Sequence, residues 1–132
     1  MVPLPRFSTV NGVPITELLP PEQVTEIVEK TRRTAAEVIA LKGATIYAPA
    51  HGITRMIESV IKDKKMVLCM TTRLDGQFGV RDVYVDVPAV LGARGVERVI
   101  ELKLNSEERS AFLKSVDVVK AAVSHLKTVN VS

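Results

Sequence analysis

A chain of 132 residues has the size of one domain and can remove roughly two-thirds of its unfolded surface from water, so a single core over residues 1–132 is expected. Its 18 Lys and Arg are mixed along the chain with 15 Asp and Glu; a net charge of +3 distributed in this way is no nucleic-acid footprint, and no apolar run approaches the roughly 20 residues of a membrane span. Hydrophobic residues make up 46% and aromatics 4%, with no Trp, an aliphatic inventory that fits either an ordinary core or faces meant for other chains.

The pattern predicts an α+β fold in which long helices pack on antiparallel strands and hairpins. Val2 to Val10 begins as an extended segment limited by Pro3 and Pro5, and Asn11-Gly12 is a two-residue turn that returns through Val13 to Thr16 as a small hairpin. Pro20-Pro21 sets the entry to a helix over about 21–41, with Val24, Ile27, Val28, Thr31, Ala35, Val38 and Ile39 on one apolar face and Gly43 as its stop. A second helix starts near Ala48. Pro49 is tolerated in its first turn because the missing N–H has no intrahelical acceptor there, and Ile53, Met56, Ile57, Val60 and Ile61 form the stripe expected to be buried.

Met66 to Leu74 reads as a strand containing Cys69, the only cysteine, which excludes an internal disulfide and fits a reducing, cytoplasmic compartment. Asp75-Gly76 reads as a tight turn into a strand in which Val83, Val85 and Val87 alternate with Tyr84 and Asp86 until Pro88 limits it. A further hairpin turns at Gly92-Ala93-Arg94-Gly95 and returns through Val99 to Leu104. The last helix opens at Asn105 with Glu108 three residues on, a capping pattern, and is expected to bury Phe112, Leu113, Val116, Val119, Val123 and Leu126. Residues 127–132 form the tail, with Val129 to Ser132 read as frayed.

Lys42-Gly43-x-Thr45-x-Tyr47-Ala48-Pro49-Ala50 resembles the segment joining two helices in the substrate half of the lactate/malate dehydrogenase family, on the malate side of that family. Met1-Val2-Pro3-Leu4, Ile61-Lys62-Asp63-Lys64, Gly76-Gln77-Phe78-Gly79-Val80-Arg81-Asp82-Val83-Tyr84, Val87-Pro88-Ala89-Val90-Leu91-Gly92 and Gly95-Val96-Glu97 follow in the family's order, so the resemblance runs to about Leu126. In the family a Gly-His-Gly-Asp motif, whose His is the general acid/base, lies immediately upstream of the Met-Val-Pro-Leu segment. This sequence begins at Met1 and is expected to be a carboxy-terminal substrate domain lacking that His, the substrate arginines and the Rossmann half that binds NAD.

A search of the residues themselves agrees. No three of the seven glycines make the G-x-G-x-x-G spacing that brings backbone N–H groups to a pyrophosphate, and His51 and His125 have no Cys or second His at ligand spacing, so no metal site is expected. No Gly-x-Ser-x-Gly elbow presents a nucleophile. Glu37, Asp82, Asp86 and Glu97 form no evident close pair for acid/base work, and no catalytic residue is assigned to this chain.

Thr45 is singled out for substrate binding. A short hydroxyl just past a helix end either bonds nearby backbone in its turn or offers a donor and acceptors to a bound carboxylate, and the resemblance implies the second. Pro49 is adequately explained as a first-turn proline; the resemblance adds a contact with the nicotinamide ring of the cofactor. Near a helix N-terminus His51 is read as a surface or interface histidine, His125 as a cation near a helix C-terminus, and the basic cluster at Lys62, Lys64 and Lys65 as a solvated helix end. Arg32, Arg33 and Arg55 have the fork geometry to hold a dicarboxylate but equally suit a solvated face or an ion pair.

The resemblance implies the substrate-side domain of an NAD-dependent malate dehydrogenase of the tricarboxylic acid cycle, working as a dimer or tetramer on a small dicarboxylate, with no nucleic-acid or membrane partner. The alternatives are the corresponding domain of a lactate dehydrogenase and a non-catalytic interaction or oligomerisation module. The isolated chain is expected to be inactive.

Overall fold

The computed structural model describes residues 2–128 and divides the chain into two compact units, residues 1–49 and 50–132. In the first, a 3-10 turn at Pro5–Phe7 precedes the hairpin of β1 (Thr9–Val10) and β2 (Val13–Pro14), followed by α1 (Ile15–Leu18) and α2 (Pro21–Lys42). Asn11 and Gly12 turn the hairpin with φ of 50° and 87°, as the Asn-Gly pair predicts. The returning strand is shorter than the sequence implies. The Thr9–Pro14 pair is the one that exchanges no ladder bonds, so the missing N–H of Pro14 costs none; Ile15 N–H still donates to Ser8 O at 2.8 Å, and the chain then coils into α1 instead of continuing extended to Thr16.

The helix α3 (Tyr47–Ile61) leads into the second unit, which holds β3 (Met66–Asp75), β4 (Arg81–Gly92), β5 (Gly95–Val99) and α4 (Ser106–Thr128). The three strands form one antiparallel sheet with β4 in the middle. Val83, Val85, Val87, Ala89 and Leu91 alternate along β4 onto the buried face, opposite Leu74, Thr72, Met70, Leu68 and Met66 of β3. On one part of this face α4 packs: Val116 is buried and Phe112 and Val119 partly so, against Leu74, Phe78, Val80 and the β4 valines. Phe78 and Phe112 meet at 5.0 Å between ring centroids. Asn105 N–H donates to Glu108 Oε2 and Glu108 N–H to Asn105 Oδ1, each at 2.9 Å, so the expected capping box opens the helix.

Pro88 does not end β4. Its carbonyl accepts from Ile100 N–H at 2.8 Å, and in an antiparallel strand the N and C=O of one residue point to the same side, so its missing N–H faces the edge where β5 is finishing and no β3–β4 hydrogen bond is lost. That Ile100 bond is also the last on β5, which stops at Val99 and does not reach Leu104. Asp75-Gly76 is likewise more than a tight turn. A 3-10 turn at Gln77–Gly79 intervenes, with Phe78 held at φ 55° by its own burial and by an N–H bond to the Glu101 carboxylate. At the β4–β5 turn a Cβ on Gly92 would lie 2.5 Å from Glu97 Oε1 and 2.8 Å from Asp63 Oδ1, so those two carboxylate ends would have to shift to admit one.

The helical stripes are far less covered than their periodicity predicts. On α3, Ile53, Met56, Ile57 and Ile61 are exposed and only Val60 packs partly, beside Met70, Ala89 and Leu91. On α2 only Val24 is buried, with Ile27 and Ile39 exposed. Leu126 is 72% exposed and Val123 46%, so α4 buries the middle of its stripe and not its end. Residues 127 and 128 continue α4, and the tail expected at Val129 to Ser132 lies outside the described residues.

One polar residue fastens α3 to the sheet. Ser59 is fully buried; its hydroxyl donates to Leu91 O at 2.6 Å and accepts from Met66 N–H at 3.2 Å, joining the end of β4 to the start of β3. Removing the hydroxyl leaves both backbone groups without it, so Ser59→Ala is expected to cost about 1–3 kcal/mol in urea denaturation of the chain. Ser110→Ala on the exposed side of α4 is expected to stay within about 0.5 kcal/mol.

Candidate functional site

The turn between α2 and α3 is built by a helix stop and a helix start four residues apart. Gly43 takes the left-handed conformation, φ 79°, and its N–H closes α2 on Ile39 O at 2.7 Å, a geometry that costs a side-chain-bearing residue about 1–2 kcal/mol. Tyr47, one residue earlier than the sequence implies, begins α3. Pro49 is therefore the third helical residue, still among the first four positions whose N–H groups have no partner within the helix. The stop, the start and the residues between them are all exposed.

Thr45 lies in the middle of this turn, and among the described residues its hydroxyl makes no hydrogen bond. Thr25, Thr31, Thr34 and Thr54, by contrast, each donate to a carbonyl four residues back. A hydroxyl so placed, just ahead of a helix N-terminus with its partial positive charge, offers an anionic oxygen a donor in a favourable potential. Pro49 presents an exposed apolar ring one helical turn on. It supplies a hydrophobic surface with no polar atom of its own to compete, which suits the face of a flat heteroaromatic ring. Periodicity did not reveal the contact across the turn: Lys42 Nζ lies 4.3 Å from the centroid of the Tyr47 ring. The only sequence signal for it is a cation and an aromatic ring flanking a glycine-headed turn.

Several of the other candidate polar residues stand on exposed helix faces or in pairs within their own unit. Arg32 pairs with Glu29 at 2.7 Å on the exposed side of α2, the ion-pair reading of that residue. His51 and Arg55 stand exposed on α3, and His125 is exposed near the end of α4. Asp82 is held by Arg73, whose guanidinium is thereby pushed above its usual range, Asp86 accepts from the Thr71 hydroxyl, and Glu97 lies within 3.9 Å of Lys65 and 3.7 Å of Arg94. Among the described residues no group of His, Cys, Asp and Glu could hold a metal ion, and no helix is long and apolar enough to cross a membrane. Cys69 is exposed with a free thiol.

Comparison with known proteins gives a consistent answer. The family model described as lactate/malate dehydrogenase, alpha/beta C-terminal domain, matches residues 3–129. A malate dehydrogenase from Roseiflexus castenholzii is 44% identical over 129 residues, covering 96% of this chain and 42% of the relative, and malate dehydrogenase 1 from Anaeromyxobacter dehalogenans is 49% identical over 129 residues, covering 96% and 41%. Among solved structures, the malate dehydrogenase from Salinibacter ruber superposes with a TM-score of 0.92 at 37% identity, covering 96% of this chain and 42% of that one. The chain spans about two-fifths of the length of the curated relatives it matches.

The basic cluster after α3 is, as expected, a solvated helix end. Lys64 and Lys62 donate to Glu58 Oε1 at 2.8 and 2.9 Å and together hold its carboxyl, ordinarily at 4.5, down to about 2. Because the folded value lies below the unfolded one, this carboxylate's contribution to stability is complete above the unfolded value and fades as the pH falls from there through about 2. Carboxyl-carbon NMR is expected to find Glu58 still ionised at about pH 4, and to find its titration moved back towards the ordinary glutamate range in the Lys62→Met, Lys64→Met double variant.

Proposed function

The chain belongs to the lactate/malate dehydrogenase family, as its alpha/beta C-terminal domain, and from that premise we propose that it is the substrate-side domain of an NAD-dependent malate dehydrogenase. In this reading residues 1–132 act as a single substrate and oligomerisation domain beside a Rossmann half that carries the nucleotide site, the acid/base His and the carboxylate-binding arginines. The observation that carries it is the Lys42–Pro49 turn, with the unengaged hydroxyl of Thr45 beside a helix N-terminus, in a chain whose relatives at 44–49% identity are malate dehydrogenases.

NAD, when bound, supplies the hydride acceptor for carbon 2 of malate. This chain's part is to bind and enclose. Thr45 Oγ1 donates to a substrate oxygen, Pro49 gives the nicotinamide ring an apolar wall, and the turn keeps bulk water from the reacting carbon. The fit is that of a wall alone, since the exposed Pro49 ring suits a flat heterocycle while the chain has no glycine loop for a pyrophosphate. The exposed apolar stripes of α2 and α3 fit burial against the other half and against further subunits, as a cytoplasmic dimer or tetramer.

The test is complementation with oxaloacetate and NADH as substrates. The purified chain alone is expected to show no turnover above host contamination, because loss of acid/base catalysis costs about 10²–10⁴-fold and the cofactor site is lost with it. Mixing with a separately expressed nucleotide-binding half of a malate dehydrogenase relative is expected to restore activity, and Thr45→Ala in the mixture to lower kcat/KM about ten- to a hundred-fold, as for a lost hydrogen bond to a charged group. Association of the two folded halves without turnover would contradict this reading and assign the chain to the class of non-catalytic interaction modules.

A further inference from the structure

Nothing in the turn's own side chains fixes Thr45. Gly43 is closed on Ile39 by its backbone, but among the described residues no side chain of 43–46 makes a hydrogen bond, and Thr45 is exposed. The turn is nevertheless spanned. Lys42, the last residue of α2, lays its ammonium over the ring of Tyr47, the first residue of α3, at 4.3 Å. Among the described residues Lys42 has no salt bridge, so the ring is the one partner recorded for its charge. A cation over an aromatic face is attracted by the ring's quadrupole, and this pair joins the two ends of the segment that carries Thr45.

We propose that Lys42 and Tyr47 are positioning residues: their stack clamps the turn and holds the Thr45 hydroxyl where a substrate carboxylate oxygen meets it. The inference rests on the assignment of Thr45 to the substrate pocket made above. Neither residue touches the reacting atoms in this account. Lys42 acts through the ring and the ring through the turn, so the cation and the aromatic face are needed together, while the phenolic hydroxyl is not.

Two measurements test it. In the chain alone, the backbone order parameter of Thr45 is expected to fall from the rigid range near 0.85 to below about 0.6 in Lys42→Met and in Tyr47→Leu, and to be retained in Lys42→Arg and Tyr47→Phe, which preserve a cation and a ring. In the complemented enzyme, Lys42→Met and Tyr47→Leu are each expected to raise KM for oxaloacetate about two- to five-fold with kcat and the KM for NADH unchanged, and Lys42→Met is expected to add nothing to Thr45→Ala.

An unchanged order parameter in Lys42→Met and Tyr47→Leu overturns the proposal whether or not the halves complement. Additive effects of Lys42→Met and Thr45→Ala overturn it too. So does a KM effect of Lys42→Met that Tyr47→Leu does not share, which would make Lys42 a direct ligand of the substrate. If wild-type chain fails to complement, the assignment of the pocket fails, and the order parameter still decides whether the stack fixes the turn.

Discussion

The alternation along β4 is the constraint on which the second unit depends. As the middle strand it pairs on both edges, so its side chains have only two faces to choose between, and Val83, Val85, Val87, Ala89 and Leu91 all fall on one of them. That single choice fixes the register of β3 and gives α4 a surface of valines to cover with Phe112, Val116 and Val119. It also brings the Leu91 carbonyl to the place where Ser59 can bond it. A slip of one residue would turn the valines outward and present Tyr84 and Asp86 to the core. Pro88 survives in this strand because its missing N–H faces the finishing edge of β5.

The apolar residues beyond this core explain the aliphatic composition. In the second unit α4 covers one part of the sheet and α3 touches it through Ser59 and Val60, and Ile53, Ile57, Ile61 and Leu126 remain exposed. Scattered exposed aliphatics need no account, but those on α3 form a continuous apolar hollow lined by Met56, Ile57, Val60, Ile61 and Leu91. In the proposed enzyme such faces meet the other half and neighbouring subunits, which is the burial that helical periodicity encodes without saying what supplies it.

That distinction sets how much was readable from sequence. The capping box at Asn105 and Glu108, the glycine stop at Gly43, the Asn11-Gly12 turn and the alternation of Val83, Val85 and Val87 are local signals, and each reappears where it was expected. Errors arose where a distant partner decides. Pro88 looks like a strand end until the direction of its missing N–H is known, and Ile15 and Thr16 look extended until the chain is seen to coil into α1 there. The stripe of α3 looks buried because periodicity identifies an apolar face and not its cover. Thr45 and Pro49 stand out only through family resemblance; the residues alone permit a turn-bonded hydroxyl and an ordinary first-turn proline. The Lys42–Tyr47 stack and the double role of Ser59 have no sequence signature beyond residue type.

The proposed division of labour gives this chain the binding surface and leaves proton and hydride chemistry to groups elsewhere. It is tested most directly by a crystal structure of the chain assembled with a nucleotide-binding half, NAD and an unreactive dicarboxylate analogue of malate. The account predicts Thr45 Oγ1 within hydrogen-bond reach of the analogue, about 2.6–3.2 Å, with the Pro49 ring against the nicotinamide. A bound analogue that Thr45 does not touch, with the Lys42–Pro49 turn facing solvent, would contradict it.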